Sequence, residues 1–142
     1  MLAVGLARAA VEAGHRVYFT TAEDLARRAA KAARDGRWAT CMRFFAGPKM
    51  LVIDEFAARR MDDDASAALF QVISQRYLKS SIVLTSHVGV AAWADRLGDP
   101  MTAAAVLDRL LHRGVVVGID GPSFRMRAHQ ARAEALRQAV RP

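Results

Sequence analysis

The stretch Met50-Leu51-Val52-Ile53-Asp54-Glu55 constrains this chain more than any other. Its apolar run, with two β-branched residues, reads as a short strand with no polar face. Such a strand is buried on both sides, as in the interior of a parallel sheet covered by helices. It ends abruptly in two adjacent carboxylates. In sheets of that kind ligands gather beyond the carboxyl ends of the strands, so Asp54 and Glu55 stand where chemistry is expected.

The flanking sequence agrees. Apolar spacing predicts helices over 2–13, 22–35, 38–45, 65–77 and 101–112, and a short helical turn over 91–97. Strands are predicted over 16–21, 50–53, 81–86 and 115–120. Gly14 and Gly36 close the first two helices. Thr20 or Thr21 caps the second, with Glu23 and Asp24 in its first turn, where the dipole favours acids. Asp62-Asp63-Asp64 opens the helix over 65–77, whose Leu69, Val72, Ile73 and Tyr77 share one stripe. Residues 123–126 read as a returning hairpin arm and 128–140 as a basic helix or tail. Strands alternating with helices predict an α/β fold, three-layer α-β-α with a mainly parallel sheet. Three predicted strands end in polar tips, Thr20-Thr21, Asp54-Glu55 and Thr85-Ser86-His87, and a parallel sheet brings these to one edge.

A length of 142 residues, 53% of them apolar, suits one domain or most of one, with a real core. No segment approaches the roughly 20 apolar residues of a membrane span, and no basic region precedes the short apolar run at the N-terminus. The single cysteine, Cys41, excludes an internal disulfide and a cysteine-based zinc site, and reads as a small packed thiol. A cytoplasmic setting is expected. The net charge of +7, from 21 Lys and Arg against 14 Asp and Glu, favours a polyanionic partner such as nucleic acid, although Arg- and Ala-rich coding bias gives the same signature. Arg27, Lys31 and Arg34 follow helical spacing, with Arg28 and Arg37 nearby. Such a stripe neutralises phosphates without reading bases, so binding to double-stranded DNA should be sequence-independent and salt-sensitive. A second basic cluster comprises Arg125, Arg127, Arg132, Arg137 and Arg141. No aromatic residues interleave with the stripe in sequence.

Taken in order, these segments resemble the IstB/DnaC-like ATPases of the AAA+ superfamily. The likeness is carried by Gly14-His15-Arg16-Val17 leading to Phe19-Thr20-Thr21-Ala22, by Leu51-Val52-Ile53-Asp54-Glu55, by Ala68-Leu69-Phe70-Gln71-Val72-Ile73-Ser74 and by Ile82-Val83-Leu84-Thr85-Ser86. It continues through Gly98-Asp99-Pro100 and Leu107-Asp108-Arg109-Leu110-Leu111-His112 to Ser123-Phe124-Arg125. The resemblance covers residues 1–127 as a partial ATPase domain and leaves 128–142 as a basic C-terminal helix or tail. The IstB branch, of transposition helpers, fits better than the DnaC branch of helicase loaders. It implies ATP and Mg²⁺ as cofactors, with Asp54 supporting Mg²⁺ in a Walker B pair and Glu55 as the base that activates water. It implies His87 as the sensor of the γ-phosphate, where family members usually carry Asn, and Arg109 as an arginine finger acting on a neighbouring subunit. DNA, a transposase and a homo-oligomer are the implied partners.

One part of that pattern is missing. No Gly-x-x-x-x-Gly-Lys-Ser/Thr phosphate loop occurs in the sequence, and Gly47-Pro48-Lys49 does not substitute for it. In the family the loop runs into a helix like Leu2-Ala3-Val4-Gly5-Leu6-Ala7, after a first strand that lies between those predicted here over 81–86 and 115–120. The resemblance therefore implies a fold missing its first strand, from a truncated gene, a misplaced start codon, a decayed element or a domain that kept only its binding surface. Without the loop several charged hydrogen bonds of about 1.5–3 kcal/mol each are absent from ATP binding. The leading expectation is a transposition-helper ATPase. The alternatives are an inactive DNA- or protein-binding remnant, a helicase loader, and a metal-dependent nuclease using Asp54, Glu55 and Asp62-Asp63-Asp64.

Overall fold

The computed structural model describes residues 2–121 together with 126 and 132. Its sheet has three strands, β1 (Val17–Thr21), β2 (Met50–Asp54) and β3 (Ser81–Leu84), in the order β1-β2-β3 and all parallel. Parallel neighbours need crossovers, and helices supply them. The helices are α1 (Leu2–Glu12), α2 (Ala22–Arg34), α3 (Trp38–Ala46), α4 (Asp63–Arg76) and α5 (Pro100–Leu111), with 3₁₀ turns at Val90–Ala92 and Ala94–Arg96. The register pairs Phe19 with Val52 and Thr21 with Asp54, then Val52 with Val83 and Ile53 with Leu84.

The expected strand-and-helix alternation is present up to α5, with local signals acting as predicted. Gly14 and Gly36 end α1 and α2 with positive φ, a conformation glycine adopts without cost. The Thr21 hydroxyl accepts from the Asp24 amide at the start of α2, and Asp62 and Asp99 cap α4 and α5 in the same way. Asp62, one of the acids open to a metal reading, is thereby committed to a helix end.

Side chains alternate across the sheet, so β2 serves two faces. Leu51 and Ile53 join a fully buried core with Leu25 of α2, Phe45 of α3, Leu69, Val72 and Ile73 of α4, and Val106 of α5. Val52, on the opposite face, is equally buried, and α1 packs against β1 and β2. This is the three-layer arrangement expected. Among the described residues no helix is long and apolar enough to cross a membrane.

One element differs. Residues 115–120, predicted as the last strand, form none. Val115 is 89% exposed and Ile119 75% exposed. A strand exists only by pairing, and among the described residues neither this segment nor the outer edge of β3 has a neighbouring strand. Apart from residues 126 and 132, the hairpin arm expected over 123–126 and the helix or tail over 128–142, with most of the second arginine cluster, lie outside the described residues.

Candidate functional site

The three polar tips do share one edge, and the closest contact among them joins β2 to the residue that follows β3. The Thr85 hydroxyl donates to Oδ1 of Asp54. The Glu55 amide donates to the same Asp54 oxygen at 3.1 Å and to Thr85 Oγ1 at 3.3 Å. Asp54 is thus fixed by two donors while staying half-buried, and its second oxygen makes no hydrogen bond among the described residues. No role was assigned to Thr85 from sequence. The signal was available, since Ile53 pairs with Leu84 and the next residues must face each other.

Glu55 is exposed and has φ of 56°; Ala57 follows at 55°. Non-glycine residues with such φ store roughly 1–3 kcal/mol of strain each, and surrounding structure must hold them there. Phe56, between them, is fully buried against Trp93 at 4.7 Å, and its amide donates to the Thr85 carbonyl at 2.8 Å. The Arg96 guanidinium holds the Ala57 and Ala58 carbonyls at 3.3 and 2.6 Å. The backbone after β2 is therefore clamped so that Phe56 points inward and Glu55 outward. Glu55 borders a cavity of about 290 Å³ that also meets Glu23, Arg59 and Asp62.

His87 is exposed in the loop after β3. Ser86 organises that loop. Its hydroxyl accepts from the Val88 amide and from the Trp93 indole at 3.2 Å each, which leaves His87 displayed beside the strand tip. Arg109 is elsewhere. Its guanidinium stacks over Phe70 at 4.7 Å, donates to the Ala105 carbonyl at 3.0 Å, and shares a cavity with Ser80 and Ser81 at the start of β3. That is the sheet edge opposite Asp54, so within one chain the two do not meet. Arg27, Lys31 and Arg34 share the exposed side of α2; Arg27 pairs with Asp24, and Lys31 with Asp35 at 2.9 Å.

Asp54, Glu55, Thr85 and His87 offer two carboxylates, a hydroxyl and an imidazole at one strand edge. Among the described residues no group of three or more His, Cys, Asp or Glu could hold a metal ion by itself. That donor set suits Mg²⁺, which takes one or two protein carboxylates and completes its shell with water and substrate phosphates. The phosphate-cradling loop has no counterpart in these residues.

The fold is that of the α/β domains found in replication initiators. The replication initiator DnaA bound to AMPPCP and single-stranded DNA superposes with a TM-score of 0.66 at 17% identity, over 82% of this chain and 34% of that one. The chain belongs to the family described as IstB-like ATP binding protein, whose model matches residues 1–133. It is 35% identical over 133 residues to the protein assigned as the ATP-binding protein of insertion sequence IS5376 from Geobacillus stearothermophilus, covering 94% of this chain and 53% of that protein. It is 36% identical over 126 residues to the counterpart in IS21 from Pseudomonas aeruginosa, covering 89% and 48%. The chain thus spans about half the length of the curated relatives it matches.

Proposed function

We propose that this chain forms part of a transposition-helper ATPase that couples ATP hydrolysis to duplex DNA and a transposase. The observation that carries the reading is the Asp54–Thr85 hydrogen bond with Glu55 displayed beside it, at the sheet edge where this fold class holds ligands. Family membership and the insertion-sequence relatives support it. In this reading Asp54, its carboxylate oriented by Thr85, supports Mg²⁺, and Glu55 accepts the proton of the attacking water. Mg²⁺ held there would neutralise charge on the phosphates. His87 donates to the γ-phosphate. Arg109, unable to reach Asp54 in its own chain, acts on a neighbouring subunit's nucleotide in a homo-oligomer. Arg27, Lys31 and Arg34 lie against duplex phosphates. Their ion pairs are exposed and therefore weak enough for DNA to replace them.

The test is ATP turnover and nucleotide binding by the natively produced protein and its Glu55→Gln variant. Loss of a general base should cut turnover by about 10²- to 10⁴-fold while nucleotide binding persists. A wild-type protein that binds duplex DNA but neither binds nor hydrolyses ATP would instead be a binding module, and the catalytic assignment of Glu55 would fall.

A further inference from the structure

The fold assembles an aromatic and basic surface that is dispersed in the sequence. Tyr18 of β1 meets Phe44 of α3 edge to face at 4.8 Å, and Phe44 meets the fully buried Phe45 at 5.3 Å. Phe45 anchors the group, whereas Phe44 remains 46% exposed. The Arg28 guanidinium of α2 lies 5.8 Å from the centroids of both Tyr18 and Phe44, within cation–π range. Between α2 and α3 runs a cleft of about 290 Å³ lined by Phe44, Cys41, Thr40, Arg28 and Arg37. Of the cations lining it, Arg28 and Arg37 make no ion pair among the described residues. The one acid lining it, Asp35, is engaged by Lys31.

We propose that this cleft takes an unpaired base of single-stranded DNA, stacked on Phe44, with the arginines on the flanking phosphates. An exposed ring beside a guanidinium is the arrangement that binds any base by its π-face. The surplus of unpaired arginine supplies the charge complement of the backbone. A base inside a duplex has both faces covered by its neighbours and cannot enter, so the cleft discriminates strand state rather than sequence. The inference rests on the DNA-handling part of the proposed function and adds a second mode to the phosphate contacts of α2.

The experiment is fluorescence anisotropy at fixed salt with a labelled oligo-dT and a duplex of equal length. Stacking contributes roughly 1–3 kcal/mol per base, so Phe44→Ala should weaken oligo-dT binding about 5- to 150-fold and leave duplex binding within about twofold. Phe44→Trp should restore the oligo-dT affinity and Phe44→Leu should not. Oligo-dT should also slow alkylation of Cys41, the only cysteine. Unchanged oligo-dT affinity in Phe44→Ala overturns the inference, as does an equal loss for both DNAs. Altered sedimentation with intact oligo-dT binding also overturns it and assigns the cleft to a protein interface. A wild-type protein that binds duplex but not oligo-dT refutes the cleft alone, and one that binds neither refutes the DNA-handling reading as well.

Discussion

Arg76 is the largest fully buried side chain, and it makes no ion pair among the described residues. Its guanidinium instead collects backbone carbonyls. It donates to Phe45 at 2.8 Å, Pro48 at 2.9 Å and Ser81 at 2.7 Å, with longer bonds to Ala46 at 3.3 Å and Lys49 at 3.4 Å. Phe45 and Ala46 end α3, where carbonyls lack helical partners and the helix dipole is negative. One side chain from the last turn of α4 therefore ties α3 to the starts of β2 and β3. Burial lowers its pKa, yet no environment here removes an arginine's proton at ordinary pH. Arg76→Met keeps the volume and strands these carbonyls. The three short bonds, each about 1.5–3 kcal/mol, are offset by relief of the guanidinium's desolvation. Each buried carbonyl left without its donor costs about 1–3 kcal/mol, so after that relief the net loss is about 3–5 kcal/mol. Against a total of about 5–15 kcal/mol this is a large fraction, and it corresponds to roughly 10–15 °C in Tm at this chain length. Arg76→Lys retains charge but cannot span the carbonyls, and should lose about 2 kcal/mol or more. Urea melts and thermal circular dichroism measure both. A loss below about 1 kcal/mol for Arg76→Met with an unchanged m-value would refute the reasoning.

Three further outcomes are expected. Gly98 has φ of +70°, and an added Cβ would lie 2.9 Å from Ser66 Oγ and 3.1 Å from Asp63 Oδ1, so Gly98→Ala should lower stability in urea melts by about 2–3 kcal/mol. The Thr102 amide donates to Asp99 and holds its carboxyl below the ordinary value of 3.8; the resulting stabilisation is complete above that value and lost as pH falls through the lower folded one. Asp99→Asn should therefore flatten the acid limb of stability against pH. In native-state hydrogen exchange the amides of Ile82 and Leu84, which face away from β2, should exchange on the order of 100-fold faster than that of Val83.

The fold was legible because its signals are local and mutually consistent. Gly14, Gly36, Thr21 and Asp62 each mark a helix boundary by their own chemistry, and the apolar run of β2 could only be buried on both faces. The convergence of strand tips followed from parallel topology alone. Contacts between distant residues were harder to read. Thr85 sits 31 residues from Asp54, and its role depends on register rather than on its neighbours. Arg76 drew no structural role from the sequence, because composition does not distinguish an arginine that caps carbonyls from one in solvent. The positive φ at Glu55 and Ala57 carried no glycine or asparagine to announce it. Phe44 and Arg28 lie on separate helices with no shared period, so their meeting was invisible until the helices packed.

Residues 115–120 show where propensity stops being sufficient. Val115, Val116, Val117 and Ile119 are apolar and β-branched, yet each is at least 62% exposed. Strand preference measures how well a side chain fits a pleated, half-buried surface, and that surface exists only when a neighbour is bonded alongside. Ile82 and Leu84 of β3 line the same groove, of about 430 Å³, as Val115–Val117 and Ile119. Both walls have the side chains of strands, and neither has a backbone partner on the groove side among the described residues. A strand entering the groove could bond the outward amides of Ile82 and Leu84 on one side and the 115–119 backbone on the other. It would bury the exposed valines at roughly 25 cal/mol per Å² of apolar surface. In such a sheet Asp54 and Thr85 would lie at an interior edge instead of beside a free one. The strand signal over 115–120 is thus a property of the sequence that becomes a conformation only in the presence of its partner.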